Sequence, residues 1–147
     1  MSEANVSPAA EAKSDAWPFF MKLHLDNPAG RNLITGYGEG YVAINHRHFE
    51  TSLIVLPDRL VEPWGAGGFD ALQEDDFAAI RRLAPEIFLL GTGNRQRFPA
   101  PSLLRPLIEA GIGCEVMDLP AACRTFNILM TEGRLVAAAL LIDPIQS

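Results

Sequence analysis

The sequence predicts an α/β fold, a β-meander followed by a sheet with parallel members and helical cover, and three observations predict it. Residues 21–56 alternate short β-prone segments with turn residues. Beyond the Pro- and Gly-rich stretch 57–68, which carries Trp64, the apolar period becomes helical. From residue 87 onward the order is strand, helix, strand, helix, strand, and that alternation implies parallel strands with helices packed on them.

Within the meander, residues 21–25 read as a strand, Asn27-Pro28-Ala29-Gly30 as a turn and residues 33–37 as a second strand. Residues 41–44 form the next, turn at Asn45-His46 and return through Phe49 to Leu56. Asn45 tolerates positive φ, so a tight hairpin there has a mechanism. The stretch 57–68 reads as a connection lying across the sheet, with Trp64 as a core plug. Leu72, Phe77, Ile80 and Leu83 then recur at helical spacing behind the acidic turn Glu74-Asp75-Asp76. Those acids favour a helix N-terminus, Arg81 and Arg82 favour its end, and Pro85 stops it.

The apolar run Glu86-Ile87-Phe88-Leu89-Leu90 breaks into Gly91-Thr92-Gly93, a buried strand emptying into a backbone-rich loop of the kind that carries sites in open α/β sheets. A long loop to Pro101 follows, bearing Arg95 and Arg97. Ser102 is the expected N-cap of a helix through Ala110, with Gly111 beyond its end and Pro106 tolerable only near its start. A strand over 112–117, a helix from 120 to about 131 and a strand over 134–142 complete the chain.

At 147 residues, almost half of them apolar, the chain suits one core. Residues 1–17 are small, polar and aperiodic and read as a mobile tail, leaving a single α/β domain over 18–147. The net charge of −6 argues against nucleic-acid binding, which demands a basic face. Residues 57–90 hold seven acids against three arginines, whereas residues 91–111 set Arg95, Arg97 and Arg105 against Glu109. A local positive patch on an acidic protein suits an anionic small molecule or a protein partner. Cys114 and Cys123 are separated by eight residues, too far for a CxxC pair, so reduced thiols in a cytoplasmic compartment are expected. No secretory signal is evident, and no apolar run approaches the roughly 18 residues needed to span a bilayer.

The standard site motifs fail on spacing. After Gly91-x-Gly93 the third glycine of a dinucleotide fingerprint would fall at Gln96, and no Gly-Lys-Ser/Thr is present for a phosphate loop. What survives is an anion nest of the Gly91–Gly93 amides with Arg95 and Arg97 nearby, set against a plain sharp turn with solvated arginines. His46 and His48 alternate as a metal pair would on a strand, but the turn at Asn45-His46 spoils that alignment, and surface histidines are the better reading. Cys123-Arg124 near a helix start invites a lowered thiol pKa, yet no histidine follows to serve as base, and a buried structural cysteine fits better. Asn127 is mildly unfavourable inside a helix, so its side chain is expected to bond the neighbouring loop.

Several stretches together carry a family resemblance: Leu90-Gly91-Thr92-Gly93, Gly111-Ile112-Gly113, Glu115-Val116-Met117-Asp118, Ala122-Cys123-Arg124-Thr125-Phe126-Asn127 and Glu132-Gly133-Arg134. In order from Met21 to Pro144, with Pro57 and Trp64, the chain resembles a widespread family of small proteins of unknown function whose mitochondrial members include complex I assembly factor three. The resemblance implies a three-layer α/β/α fold with a central mixed sheet joined to the antiparallel meander, and it brings no established catalytic residue. His46 stands where relatives often have Gly, and the mitochondrial presequence is missing, which fits a bacterial member.

Two functions of different class follow. The first is a non-enzymatic binding or assembly module whose partner is a protein, by resemblance a subunit of a respiratory or other membrane-associated assembly. The second is an anionic-ligand protein or enzyme, with Thr92 donating its hydroxyl, Gly93 its amide, and Arg95 or Arg124 the charge. The ligand- or partner-binding set is Gly91, Thr92, Gly93, Arg95, Arg97, Arg124 and Asn127. No catalytic residue, metal ligand or cofactor is expected.

Overall fold

A computed structural model describes residues 30–145. The expected tail over 1–17 and strand over 21–25 lie outside them. The meander begins with β1 (Ile34–Gly38), β2 (Tyr41–Ile44) and β3 (Arg47–Phe49), antiparallel in that order. Asn45 and His46 both take positive φ, 52° and 68°, which is the mirror-image two-residue hairpin whose twist matches the strands it joins. Asn45 is held there by its own side chain: Oδ1 accepts the Leu33 N–H at 3.0 Å, and Nδ2 donates to Asn32 Oδ1 at 2.9 Å.

The run from Phe49 to Leu56 is two strands, not one. β3 ends at Phe49, and β4 (Leu53–Leu56) belongs to a different sheet. All four residues of β4 are buried, whereas β3 exposes Arg47 and His48, so the two halves serve different environments. Ser52 makes the break: its carbonyl accepts the Trp64 N–H at 3.0 Å and its Oγ accepts the Ile142 N–H at 2.9 Å. The stretch 57–68 is also more than a connection, because β5 (Arg59–Val61) folds back antiparallel on β4. Asn32 ties this hairpin to the meander, donating from Nδ2 to the Leu56 and Arg59 carbonyls at 2.8 and 3.1 Å.

α1 (Glu74–Leu83) has Phe77 and Ile80 on its buried face. Its start is fixed by Asp76, whose Oδ2 accepts the Gln73 N–H at 2.8 Å, and its end by Ala84 at φ 54°, just before Pro85. β6 (Ile87–Gly91) follows. Ser102 does not cap the next helix. It lies inside a 3-10 turn, Pro101–Leu104, that leads into α2 (Arg105–Glu109), and Pro106 is tolerated because that helix begins only one residue earlier. β7 (Gly113–Met117), α3 (Leu119–Thr131) and β8 (Val136–Leu140) complete the order. The cap of α3 is Asp118, whose Oδ1 accepts the Ala121 N–H at 3.0 Å.

The second sheet runs β5-β4-β8-β6-β7, with β6 parallel to β7 and β8, and β4 antiparallel to β5 and β8. It is the central layer of a three-layer α/β/α arrangement. Alternate residues of its buried strands, Ile54 and Leu56, Phe88 and Leu90, Ala137 and Ala139, pack with Trp64, Phe77, Ile80 and Leu107 on one side. Trp64 is the expected plug, meeting Phe77 edge-on with its Nε1 donating to the Asp76 carbonyl at 3.0 Å. α3 covers β6 and β8 on the other side with Ala122, Phe126 and Met130. It also carries β1, because Asn127 clamps Ile34: Nδ2 donates to its carbonyl at 2.8 Å and Oδ1 accepts its N–H at 2.9 Å.

Candidate functional site

The glycine loop stands at the C-terminal end of β6, between the parallel neighbours β7 and β8. Gly91 is small because α3 approaches there: a Cβ on it would sit 2.9 Å from the Ala122 Cβ. Gly93 has φ +89°, and a Cβ on it would collide with the Asp143 carboxylate. Thr92 between them is fully buried. Its N–H donates to the Met117 carbonyl at 2.9 Å, and its hydroxyl donates to the Arg95 carbonyl at 2.7 Å, with the Met117 carbonyl at 3.3 Å, while accepting the Arg97 N–H at 2.9 Å. The Arg97 side chain folds back and donates to the Thr92 carbonyl, 3.2 Å from Nε and 2.6 Å from Nη2. Its guanidinium lies 4.8 Å from the centre of the Phe69 ring.

The loop holds an anion of the chain's own, but through the Asn94 amide and Arg97 and not through the expected Gly91–Gly93 amides, of which the Thr92 N–H is spent on the Met117 carbonyl. Asp143 Oδ2 accepts the Asn94 N–H at 2.9 Å, and Asp143 Oδ1 lies 3.4 Å from Arg97 Nη2. The loop is also tied to both neighbouring elements, the Gly93 carbonyl accepting the Leu119 N–H at 2.8 Å and the Gly91 carbonyl the Leu141 N–H at 2.9 Å. As it stands, the arrangement holds a carboxylate between a backbone amide and a guanidinium. A free anion entering here has to displace Asp143.

Of the sequence-derived set, Gly93 and Arg97 lie against Asp143, and Thr92 joins them through its bonds to Arg97, while Gly91 packs against α3 instead. Arg95 lies on the outside of the same loop, exposed and with no side-chain hydrogen bond or ion pair among the described residues. Phe98, three residues on, is 70% exposed. Arg124 and Asn127 belong to the seam between α3 and β1, where Arg124 Nη1 donates to the Tyr37 hydroxyl at 3.0 Å. The partner of Asn127 is therefore a strand and not the neighbouring loop. Sequence reasoning missed Asp143 and the role of Gln96. Asp143 had a signal, being the first charge after a long apolar run, but only the placement of β8 beside β6 brings it to the loop.

The remaining candidates are local. Burial pushes the Cys123 thiol up to about 12, with Arg124 partly opposing, and the Cys114 thiol up to about 11. Neither is a thiolate at neutral pH. His48 stacks on Tyr41 at 4.3 Å and its Nε2 lies 3.3 Å from Glu50, while His46 sits in the hairpin turn. Among the described residues no group of three or more His, Cys, Asp or Glu is placed to hold a metal ion, and no helix is long and apolar enough to cross a membrane.

The comparisons with known proteins agree with this architecture. A family described as "Protein of unknown function (DUF498/DUF598)" matches residues 34–141. The bovine protein named NADH dehydrogenase (ubiquinone) 1 alpha subcomplex assembly factor 3 is 35% identical over 124 residues, 83% of this chain and 66% of its own length. The chain spans between half and two thirds of the curated assembly factors it matches first. An uncharacterised protein of Rhodobacter capsulatus is 36% identical over 79% of this chain and 89% of its own. A crystal structure of a Bordetella parapertussis protein superposes with a TM-score of 0.73 at 41% identity, covering 79% of this chain and all of that one.

Proposed function

The chain belongs to the family of proteins of unknown function that matches residues 34–141, and from that membership we propose that it is a non-enzymatic protein-binding module that holds a partner while a larger assembly matures. The observation that carries the reading is kinship with proteins named as assembly factors of NADH dehydrogenase. The partner it implies is a protein of a respiratory or other membrane-associated assembly. A bacterial, cytoplasmic setting goes with it, supported by the Rhodobacter relative and by two free thiols, which suit a reducing compartment.

The geometry supports the outer side of the 94–98 loop as the contact, with Arg95 supplying charge and Phe98 an apolar anchor of the type that dominates interfaces. The test is capture of the tagged chain from crosslinked cells, membranes included, against an Arg95→Glu/Phe98→Ser variant. Reproducible enrichment of one assembly, lost in a variant that melts normally, is the expected result. Enrichment unchanged in the variant removes this surface from the reading, and no reproducible assembly removes the module.

A second reading, an anionic small molecule at the loop, has one observation in its favour: the loop already binds a carboxylate through Asn94 and Arg97. It expects Asp143→Ala to expose a site for phosphate, nucleotides or carboxylates, read as amide NMR shifts over residues 91–97. Silence of those amides in both the wild type and the variant eliminates it.

A further inference from the structure

β7 closes one side of the five-stranded sheet, and among the described residues no strand pairs with its outer edge. It pairs with β6 without a register shift, from Ile87↔Gly113 to Gly91↔Met117. Main-chain groups of successive strand residues point to opposite edges. The Met117 carbonyl accepts from Thr92 on the β6 side, so Gly113, Glu115 and Met117 face β6, and Cys114 and Val116 turn their main-chain groups outward. The Val116 carbonyl is met by a side chain, Nε2 of exposed Gln96 at 2.8 Å. Gln96 stands where the N–H of a further strand would stand.

Sheet edges are ordinarily blunted by shortness, Lys, Pro or bulges. β5 and β3, at the ends of the two sheets, have three residues each, and the edge of β1 is held at Ile34 by Asn127. β7 has five residues, no Lys, no Pro and no bulge, with Gly113 and Glu115 exposed. β1 is an equally long edge but is bulged between Ile34 and Gly36, so β7 is the long, unbulged edge among the described residues.

We propose that β7 takes an extended segment of a different protein as a sixth strand, whose main chain bonds Cys114 and Val116 and whose Lys or Arg faces Glu115. The proposal rests on the protein-binding reading and deepens it by naming how the partner is gripped, through strand addition. A second copy of the chain is the poorer occupant. Two-fold antiparallel pairing through Cys114 and Val116 sets Glu115 opposite Glu115 in a close pair, about 4.5 Å between Cα atoms, where like charges destabilise. Each copy also carries a net charge of −6.

The test uses the full chain and a defined probe: a blocked peptide alternating Val and Thr around a central Lys, with a fully N-methylated copy as control. In the chain alone the Cys114 and Val116 amides exchange quickly, and those of Glu115 and Met117 slowly. The peptide slows Cys114 and Val116 by about tenfold or more, and the N-methylated copy does not. Gln96→Ala tightens binding, and Glu115→Lys shifts preference to a peptide with a central Glu. Slow exchange of Cys114 and Val116 in the chain alone, equal protection by the methylated copy, or protection accompanied by dimerisation in sedimentation overturns the proposal. Failure here with partner capture intact overturns the edge and leaves the module, whereas failed capture with peptide binding intact overturns the module.

Discussion

Thr92 and Arg95 lie three residues apart in one loop, and the structure treats them in opposite ways. Thr92 is sealed from solvent with its hydroxyl both donating and accepting, while the Arg95 side chain stands in water without a protein partner among the described residues. The same division separates Arg97, folded inward onto Thr92 and Asp143, from Phe98, which points out. The inner residues brace the loop between β6, β8 and α3, and the outer ones are available to something else. The arginines at the C-terminal end of β6 are therefore of two kinds here, Arg97 bonded within the loop and Arg95 exposed.

The sharpest way to break this division is Arg97→Glu, which removes both bonds to the Thr92 carbonyl and sets a carboxylate against Asp143. With these side chains about a quarter to a third exposed, the expected loss is about 2–4 kcal/mol, read from urea unfolding midpoints. A loss under about 1 kcal/mol means that the inner side is not a brace. Thr92→Val keeps the shape and removes the hydroxyl, leaving the Arg97 N–H without its acceptor and the Arg95 carbonyl without its donor; about 1–3 kcal/mol is expected in the same assay.

The helix beneath Gly91 extends the inner side to a pH effect. The Cys123 thiol, ordinarily at 9.0, is pushed up to about 12 by burial. Between those values the unfolded chain sheds a proton that the folded chain keeps, so stability falls as pH rises, by up to about 1.4 kcal/mol per pH unit. Cys123→Ala flattens part of that alkaline slope, and an unchanged slope across about pH 8 to 10.5 shows the thiol to be more open than its packing indicates. The smallest stability effect belongs to the outer side: Arg95→Glu stays within about 0.5 kcal/mol of the parent in thermal melts while weakening partner capture. A large melting shift instead makes Arg95 part of the brace.

Local periodicity carried much of the fold into the sequence. β2 and its Asn45-His46 turn, α1 behind its acidic start, and β6 running into glycine are each decided by neighbours a few residues away. What was not legible depends on distant partners. The split between β3 and β4 follows from Ser52 meeting Trp64 and Ile142, and β5 is a strand only because β4 lies beside it. Ser102 makes a sound cap by composition, yet the chain enters the helix through a 3-10 turn that leaves its hydroxyl unused as a cap. At the loop, Gly91 to Gly93 stood out because glycine reports backbone demands directly. The carboxylate held by Asn94 and Arg97 did not, since Asp143 arrives only through the parallel pairing of β8 with β6.

Asn127 sets a narrow rule of substitution. Its amide offers Ile34 an acceptor and a donor in the order that a neighbouring peptide unit would, at 2.9 and 2.8 Å. Asp lacks the donor, Leu lacks both groups, and Gln carries the amide one methylene too far. The position accordingly has an alphabet of one letter wherever β1 rests on this helix. A side chain has taken over the grammar of a strand, and the meander is spelled onto the rest of the molecule through it.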